Sequence, residues 1–278
     1  MKALLKDLLL KVGAYYKINE IRFRHNHRDV SQKAFYATII GPDDLVFDVG
    51  ANVGQRSAIF SQLARMVVAF EPQPQCLTHL KSRFKFKPNV RIEPIALGAT
   101  DGEAIIYQSS SHDLSSMSPE FIQNVAKQLF SKETWNETIT VPTRTLDQMI
   151  ASYGVPHFIK IDVEGFELNV LNGLSCPVQI LSFEFTPLTT NEAKRCVDRL
   201  HQISANFLYN YCLGEELDFV LPDHVDYQTF SNNVLPGLEG APSFGDIYAV
   251  MRSNQAGKKV GDSRVNEKPP NQGRRSDV

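Results

Sequence analysis

The chain has 278 residues, enough for one large α/β domain with short appendages and marginal for two full catalytic domains. Its composition, 42% hydrophobic and 22% charged with a net charge of −2, is that of an ordinary globular protein. That balance argues against a nucleic-acid binder relying on bulk electrostatics, although it permits a local basic patch. Cys76, Cys176, Cys196 and Cys212 show no C-x-x-C spacing, so they predict neither a zinc site nor a disulfide framework, but reduced thiols in a cytoplasm.

Residues 1–42 read as an N-terminal helical segment. Leu4, Leu5, Leu8, Leu9, Val12, Tyr15 and Tyr16 recur at helical spacing and predict an amphipathic first helix. Lys6, Asp7 and Lys11 interrupt its apolar stretch, which removes a signal-peptide core. Nothing later approaches the roughly 18 apolar residues of a membrane span. The expectation is therefore a soluble cytoplasmic protein. The helix is expected to pack on its own domain; the sharper reading is a homodimer contact, or a membrane-surface contact aided by Lys2, Lys6, Lys11, Lys17, Arg22 and Arg24.

From Asp44 the chain alternates strands and helices. Strands are predicted at Leu45–Val49 and Met66–Phe70, with a helix opening at Gly54 between them and another from Pro74 to Phe86. A third strand follows from Val90 to Leu97, an added strand from Glu103 to Gln108, and a polar loop from Ser109 to Ser118. A helix from Phe121 to Phe130, a strand from Thr138 to Val141 and a helix from Leu146 to Tyr153 come next. The remaining elements are a strand His157–Ile161, a short helix near Leu168, a strand Ile180–Phe185, a helix Glu192–Ile203 and strands Phe207–Cys212 and Asp246–Val250. Gly214 to Pro242 carries few signals, and a loop that long is functional or disordered. Residues 253–278 are polar and lack an apolar period, which predicts a disordered tail. The alternation over 43–252 predicts a mainly parallel sheet with helices on both faces, binding its ligand beyond the carboxyl ends of the strands.

Three clusters fall just after strands. Asp48-Val49-Gly50-Ala51-Asn52-Val53-Gly54-Gln55 occupies a strand-to-helix turn, where Gly50 permits a tight turn and Gly54 lets the helix start close to ligand and sheet. It does not match the G-x-G-x-x-G of dinucleotide sites, and the Asp48 carboxylate would repel a pyrophosphate. An amino-acid ammonium or a sulfonium meets no such objection. Glu71 ends the second strand about twenty residues on, where an acid accepts hydrogen bonds from ribose hydroxyls, so the two clusters together point to an adenosyl-type ligand. In Lys160-Ile161-Asp162-Val163-Glu164-Gly165-Phe166-Glu167, the i, i+2 spacing lets Asp162 and Glu164 face one cleft. Crowded carboxylates raise one another's pKa, which suits a general base, and they equally suit a divalent cation. Glu167 is assigned to capping and solvation.

The ordered set Asp48–Gln55, Phe70-Glu71-Pro72 and Ile159–Gly165 resembles the FkbM family of S-adenosylmethionine-dependent methyltransferases. His112-Asp113-Leu114-Ser115-Ser116-Met117 is similar to that family's serine-rich segment, and Thr143-Arg144-Thr145-Leu146-Asp147 to the R-T-L-D before its fourth-strand motif. The resemblance covers Asp43 to Arg252. It implies a Rossmann-like class I methyltransferase fold, a seven-stranded sheet with an antiparallel last strand, and methylation of a hydroxyl on a sugar, polyketide or related small molecule. By motif position Asp48, Gly50, Asn52 and Gly54 would surround the methionine part of the cofactor. Glu71 would hold the ribose, and Asp162 would sit beside the sulfonium or the acceptor. Asn52 stands where the broader superfamily often has glycine, which the FkbM pattern tolerates.

The implied reaction is an in-line displacement at the sulfonium methyl, dominated by positioning and exclusion of water. The hydroxyl must still lose its proton, and the candidate bases are Asp162 or Glu164, with His112 as a third. A metal-free site is the expectation, because no histidine or further acidic motif converges on it in sequence. Two other readings stay open: a non-catalytic adenosyl-ligand-binding or interaction protein, and a methyltransferase acting on protein or RNA. Against the second, the chain carries neither an Asn-Pro-Pro-aromatic signature nor a long basic stripe. The acceptor stays open among sugar, lipid-linked and peptide hydroxyls, a glycan included.

Overall fold

The computed structural model describes residues 27–109, 115–123, 133–215 and 217–252. The predicted first helix, His112, residues 124–130 of the predicted Phe121–Phe130 helix and the C-terminal tail lie outside them. In chain order the strands are β1 (Leu45–Val49), β2 (Met66–Phe70), β3 (Val90–Glu93), β4 (Ala96–Leu97), β5 (Gly102–Gln108) and β6 (Glu137–Arg144). They continue with β7 (Phe158–Ile161), β8 (Ile180–Phe185), β9 (Phe207–Leu213), β10 (Val225–Asp226) and β11 (Gly245–Met251). The principal helices are α1 (His27–Tyr36), α2 (Gln55–Phe60), α3 (Pro74–Arg83), α4 (Leu146–Tyr153), α5 (Glu167–Asn172) and α6 (Thr190–Ile203).

Eight strands make the main sheet, in the order β10-β9-β11-β8-β7-β1-β2-β3. Strand β1 is buried along its whole length and pairs in parallel with β2 on one side and β7 on the other. Burial on both faces explains why it reads as an apolar run rather than an alternating one. From β1 the chain steps outward to β2 and β3, then returns to the opposite side of β1 as β7. The order reverses between β1 and β7, and a crevice opens at their carboxyl ends. Strand β11 runs antiparallel between β8 and β9, completing the expected seven strands with an antiparallel last member. The two-residue β10 extends the edge beyond β9.

Helices cover both faces. Tyr36, Ile59, Phe60 and Leu80 pack on Val46, Val67, Ala69 and Phe158, whereas Leu146, Val170, Leu171, Val197 and Leu200 pack on Phe47, Ile159, Ile161 and Phe183. Helix α4 starts at Thr145, whose hydroxyl accepts from the Gln148 N–H at 3.2 Å. Thr145→Ala is expected to cost about 1 kcal/mol through loss of this cap, read as a lowered urea midpoint at unchanged slope.

Two predicted elements differ. The expected Val90–Leu97 strand is broken around Pro94, which has no N–H for the ladder. Its first part stays in the main sheet as β3, and its second, β4, joins β6 and β5 in a separate three-stranded sheet. The Gly214–Pro242 stretch, expected as a functional or disordered loop, forms β10 and three helical turns in its described residues. These turns bury Phe230, Leu235 and Leu238 against the core. The four cysteines are free, three of them buried. Among the described residues no helix is long and apolar enough to cross a membrane.

Candidate active site

At the reversal point lies a cavity of about 970 Å³, whose lining includes Asp48, Gly50, Glu71, Asp162, Glu164 and Glu184. The turn after β1 is held against the end of β7: the Asp162 N–H donates to the Val49 carbonyl at 2.9 Å. Gly50 has φ +82°, and a Cβ there would lie 1.8 Å from the Asp162 carbonyl oxygen. Glycine is therefore needed for the approach of two backbone segments as well as for the turn. A Cβ on Gly54 would meet Leu80 and Phe84 at 2.7 and 2.6 Å, so this residue seats α2 against α3 and does not line the cavity. Asn52 takes a left-handed conformation, φ 51°, which asparagine tolerates better than most residues.

Asp48 is buried and accepts a hydrogen bond from Ser57 Oγ; burial holds its pKa above the usual carboxylate range, against the opposing effect of that bond. Glu71, at the end of β2, accepts at Oε2 from the Asn52 N–H and at Oε1 from the Gln73 N–H, both at 2.8 Å. Burial pushes its pKa up to about 7 despite these bonds. The Gln73 side chain also hydrogen-bonds this carboxylate, but a carboxylate offers about four acceptor sites, so the group retains capacity to accept from a diol. The carboxylate also ties the glycine turn to the β2 end, which no reading of the separate motifs shows.

Sequence reading gave no role to Lys160, yet it is the most informative side chain of the site. It lies inside an apolar strand at 2% exposure, with Nζ 2.9 Å from Asp162 Oδ2 and 3.4 Å from Asp246 Oδ1. A lysine among Phe158, Ile159 and Ile161 was itself the signal, because buried ammonium groups require partners.

Asp162 and Glu164 do line one cleft, and Glu184 joins them from β8. One carboxylate oxygen from each of the three falls within 4.8 Å of the others, a spacing that also suits a divalent cation. Burial, and then the neighbouring Asp162 and Glu164 charges, hold the Glu184 carboxyl well above its usual range. The overlooked sign was an acid in the apolar run Phe183-Glu184-Phe185. Glu164 has φ 53°, and its carbonyl accepts from Ser116 Oγ at 2.6 Å. Glu167 is buried rather than solvated. Its Oε1 accepts from the N–H groups of Val163 and Gly165, shaping the turn, and burial raises its pKa to about 7.

This juxtaposition of a glycine turn, a strand-end glutamate and an acidic motif, each after a parallel strand, matches a known domain. The Methyltransferase FkbM domain profile fits residues 48–256. The chain belongs to the FkbM methyltransferase family. Among proteins of this kind, the hexuronic acid methyltransferase AglP of Haloferax volcanii is 33% identical over 144 residues, 51% of this chain and 54% of that protein. The match thus spans about half the length of that relative. A methyltransferase FkbM from Methylobacillus flagellatus KT superposes with a TM-score of 0.46 at 15% identity, covering 78% of this chain and 50% of the other. The precorrin-6y C5,15-methyltransferase of Geobacter metallireducens GS-15 gives 0.44 at 11% identity, covering 80% and 88%.

Proposed function

We propose that this family member transfers the methyl group of S-adenosylmethionine to a hydroxyl of a sugar or related small molecule in the cytoplasm. The observation that carries the reading is a single cavity lined by Glu71, by the Gly50 turn, and by Asp162, Glu164 and Glu184. Its volume, about 970 Å³, suits a nucleoside-sized ligand together with a small acceptor. The bound cofactor would supply an already activated methyl group. Glu71 accepts the ribose hydroxyls, while Asp48, Gly50 and Asn52 surround the amino-acid part and Gly54 sets the helix behind them. Asp162, held at Oδ2 by Lys160, lines the cavity beside Glu164, and either Asp162 or Glu164 takes the hydroxyl proton. A sugar acceptor is supported by the hexuronic acid named for the Haloferax relative. Glu184 removes the ground on which a metal-free site was expected from sequence. The metal-free reading is kept because the Lys160 ammonium, 2.9 Å from Asp162 Oδ2, already supplies a counter-charge to the cluster, so transfer is expected to survive chelator.

Calorimetry on the purified protein tests the cofactor. Binding of S-adenosylmethionine and S-adenosylhomocysteine is expected, with none of comparable strength for NAD or ATP. Clear binding of NAD and no heat with either sulfur compound would sink the proposal. Mass spectrometry after incubation with labelled cofactor and a panel of glycosides then identifies the methylated hydroxyl.

A further inference from the structure

We propose that Arg56 receives the α-carboxylate of the cofactor's methionine moiety, an inference that rests on the cofactor reading above. The methionine end of that cofactor carries an ammonium and a carboxylate. The acids of the cavity serve the first and repel the second, so the carboxylate has to settle beside a cation. Among the described residues, two cationic side chains line the cavity, Lys160 and Arg56. Lys160 is almost wholly buried and already engaged by Asp162 and Asp246.

Arg56 differs in place and in capacity. It lies in the first turn of α2, two residues after Gly54 and beside the turn that wraps the amino-acid end. Its side chain lines the cavity together with Asp48, Gly50, Asn52 and Glu215. Its Nη2 is 2.8 Å from Glu215 Oε2, and the side chain is 20% exposed. A guanidinium has five N–H donors in a planar fork, so a second carboxylate can be held in bidentate fashion beside the first. Glu215 is also held by Gln32 Nε2, at 3.3 Å from Oε2 and 3.1 Å from the backbone oxygen, and is not stranded if Arg56 turns toward a ligand.

The test pairs protein variants with a truncated ligand. Calorimetry is run on wild type, Arg56→Met and Arg56→Lys with S-adenosylhomocysteine and with 5′-methylthioadenosine, which lacks the amino-acid group. Arg56→Met is expected to weaken S-adenosylhomocysteine roughly 10- to 150-fold, the loss of a hydrogen-bonded charge, while binding methylthioadenosine as wild type does. Arg56→Lys, keeping the charge without the fork, is expected to fall between. Equal weakening of both ligands would reveal a structural role, and unchanged S-adenosylhomocysteine affinity would remove Arg56 from the site; either overturns the inference. Glucuronate titrated into protein saturated with S-adenosylhomocysteine forms the other arm. If Arg56→Met abolishes glucuronate binding while sparing the nucleoside, the arginine serves an acceptor carboxylate and the inference also falls. Failure of wild type to bind S-adenosylhomocysteine is a distinct result, which removes the cofactor reading itself and this inference with it.

Discussion

Lys160→Met is expected to destabilise the folded chain by about 3–5 kcal/mol, the range for breaking a buried ion pair from one side. Burial opposes the ammonium charge, and the carboxylates of Asp162 and Asp246 outweigh it, holding the lysine pKa well above its ordinary value. Methionine fills much of the same volume but leaves Asp246, whose side chain is only 8% exposed, without its counter-charge. Asp162 is 35% exposed and can turn to solvent, so most of the cost falls on Asp246. The double variant Lys160→Met with Asp246→Asn should therefore recover most of the stability, because it removes both buried charges. Urea unfolding of wild type, the single variant and the double variant checks both statements. A single variant within about 1 kcal/mol of wild type would show that the pair is not what stabilises this end of the sheet.

Glu71→Ala is expected to lower cofactor affinity by on the order of a hundred-fold or more. In the proposed complex two ribose hydroxyls would donate to one carboxylate, each charge-assisted bond contributing roughly 1.5–3 kcal/mol. The turn should survive, since the N–H groups of Asn52 and Gln73 border the cavity and can be satisfied by water after the carboxylate is gone. A pH signature separates this role from simple packing. The free carboxyl titrates at about 7. Below that value it carries a proton and loses acceptor capacity, and above it the ionised form binds the diol, so affinity should rise as pH climbs through 7 and level off beyond. In Glu71→Gln the same rise should be absent. Calorimetry with S-adenosylhomocysteine from pH 6 to pH 8.5 reads both effects; a folded Glu71→Ala protein with wild-type affinity would clear this residue of the assigned role.

Much of the frame is legible along the chain. Leu45–Val49, Met66–Phe70 and Ile180–Phe185 are found as strands over the residues their apolar runs predict. Strands buried on both faces keep a largely apolar run, interrupted here by Asp48 in β1 and by Ser182 and Glu184 in β8, and the glycine or proline after β1, β2 and β8 marks where each gives way to the next segment. The Gly50 turn and Glu71 are legible for the same reason: both are punctuation at strand ends, where a doubly wound sheet keeps its ligand. The partners of these residues were decided by tertiary structure. Asp246 meets Lys160 across 86 positions because β11 inserts antiparallel between β8 and β9, and nothing in an apolar run specifies its neighbour in the sheet. Glu184 completes the acidic cluster through the pairing of β7 with β8, and Glu215 reaches Arg56 across 159 positions. Periodicity records which side of a strand or helix is buried, a local property of the backbone. Which buried charges face each other depends on strand order and on the packing of helices over the sheet, and those are properties of the whole chain.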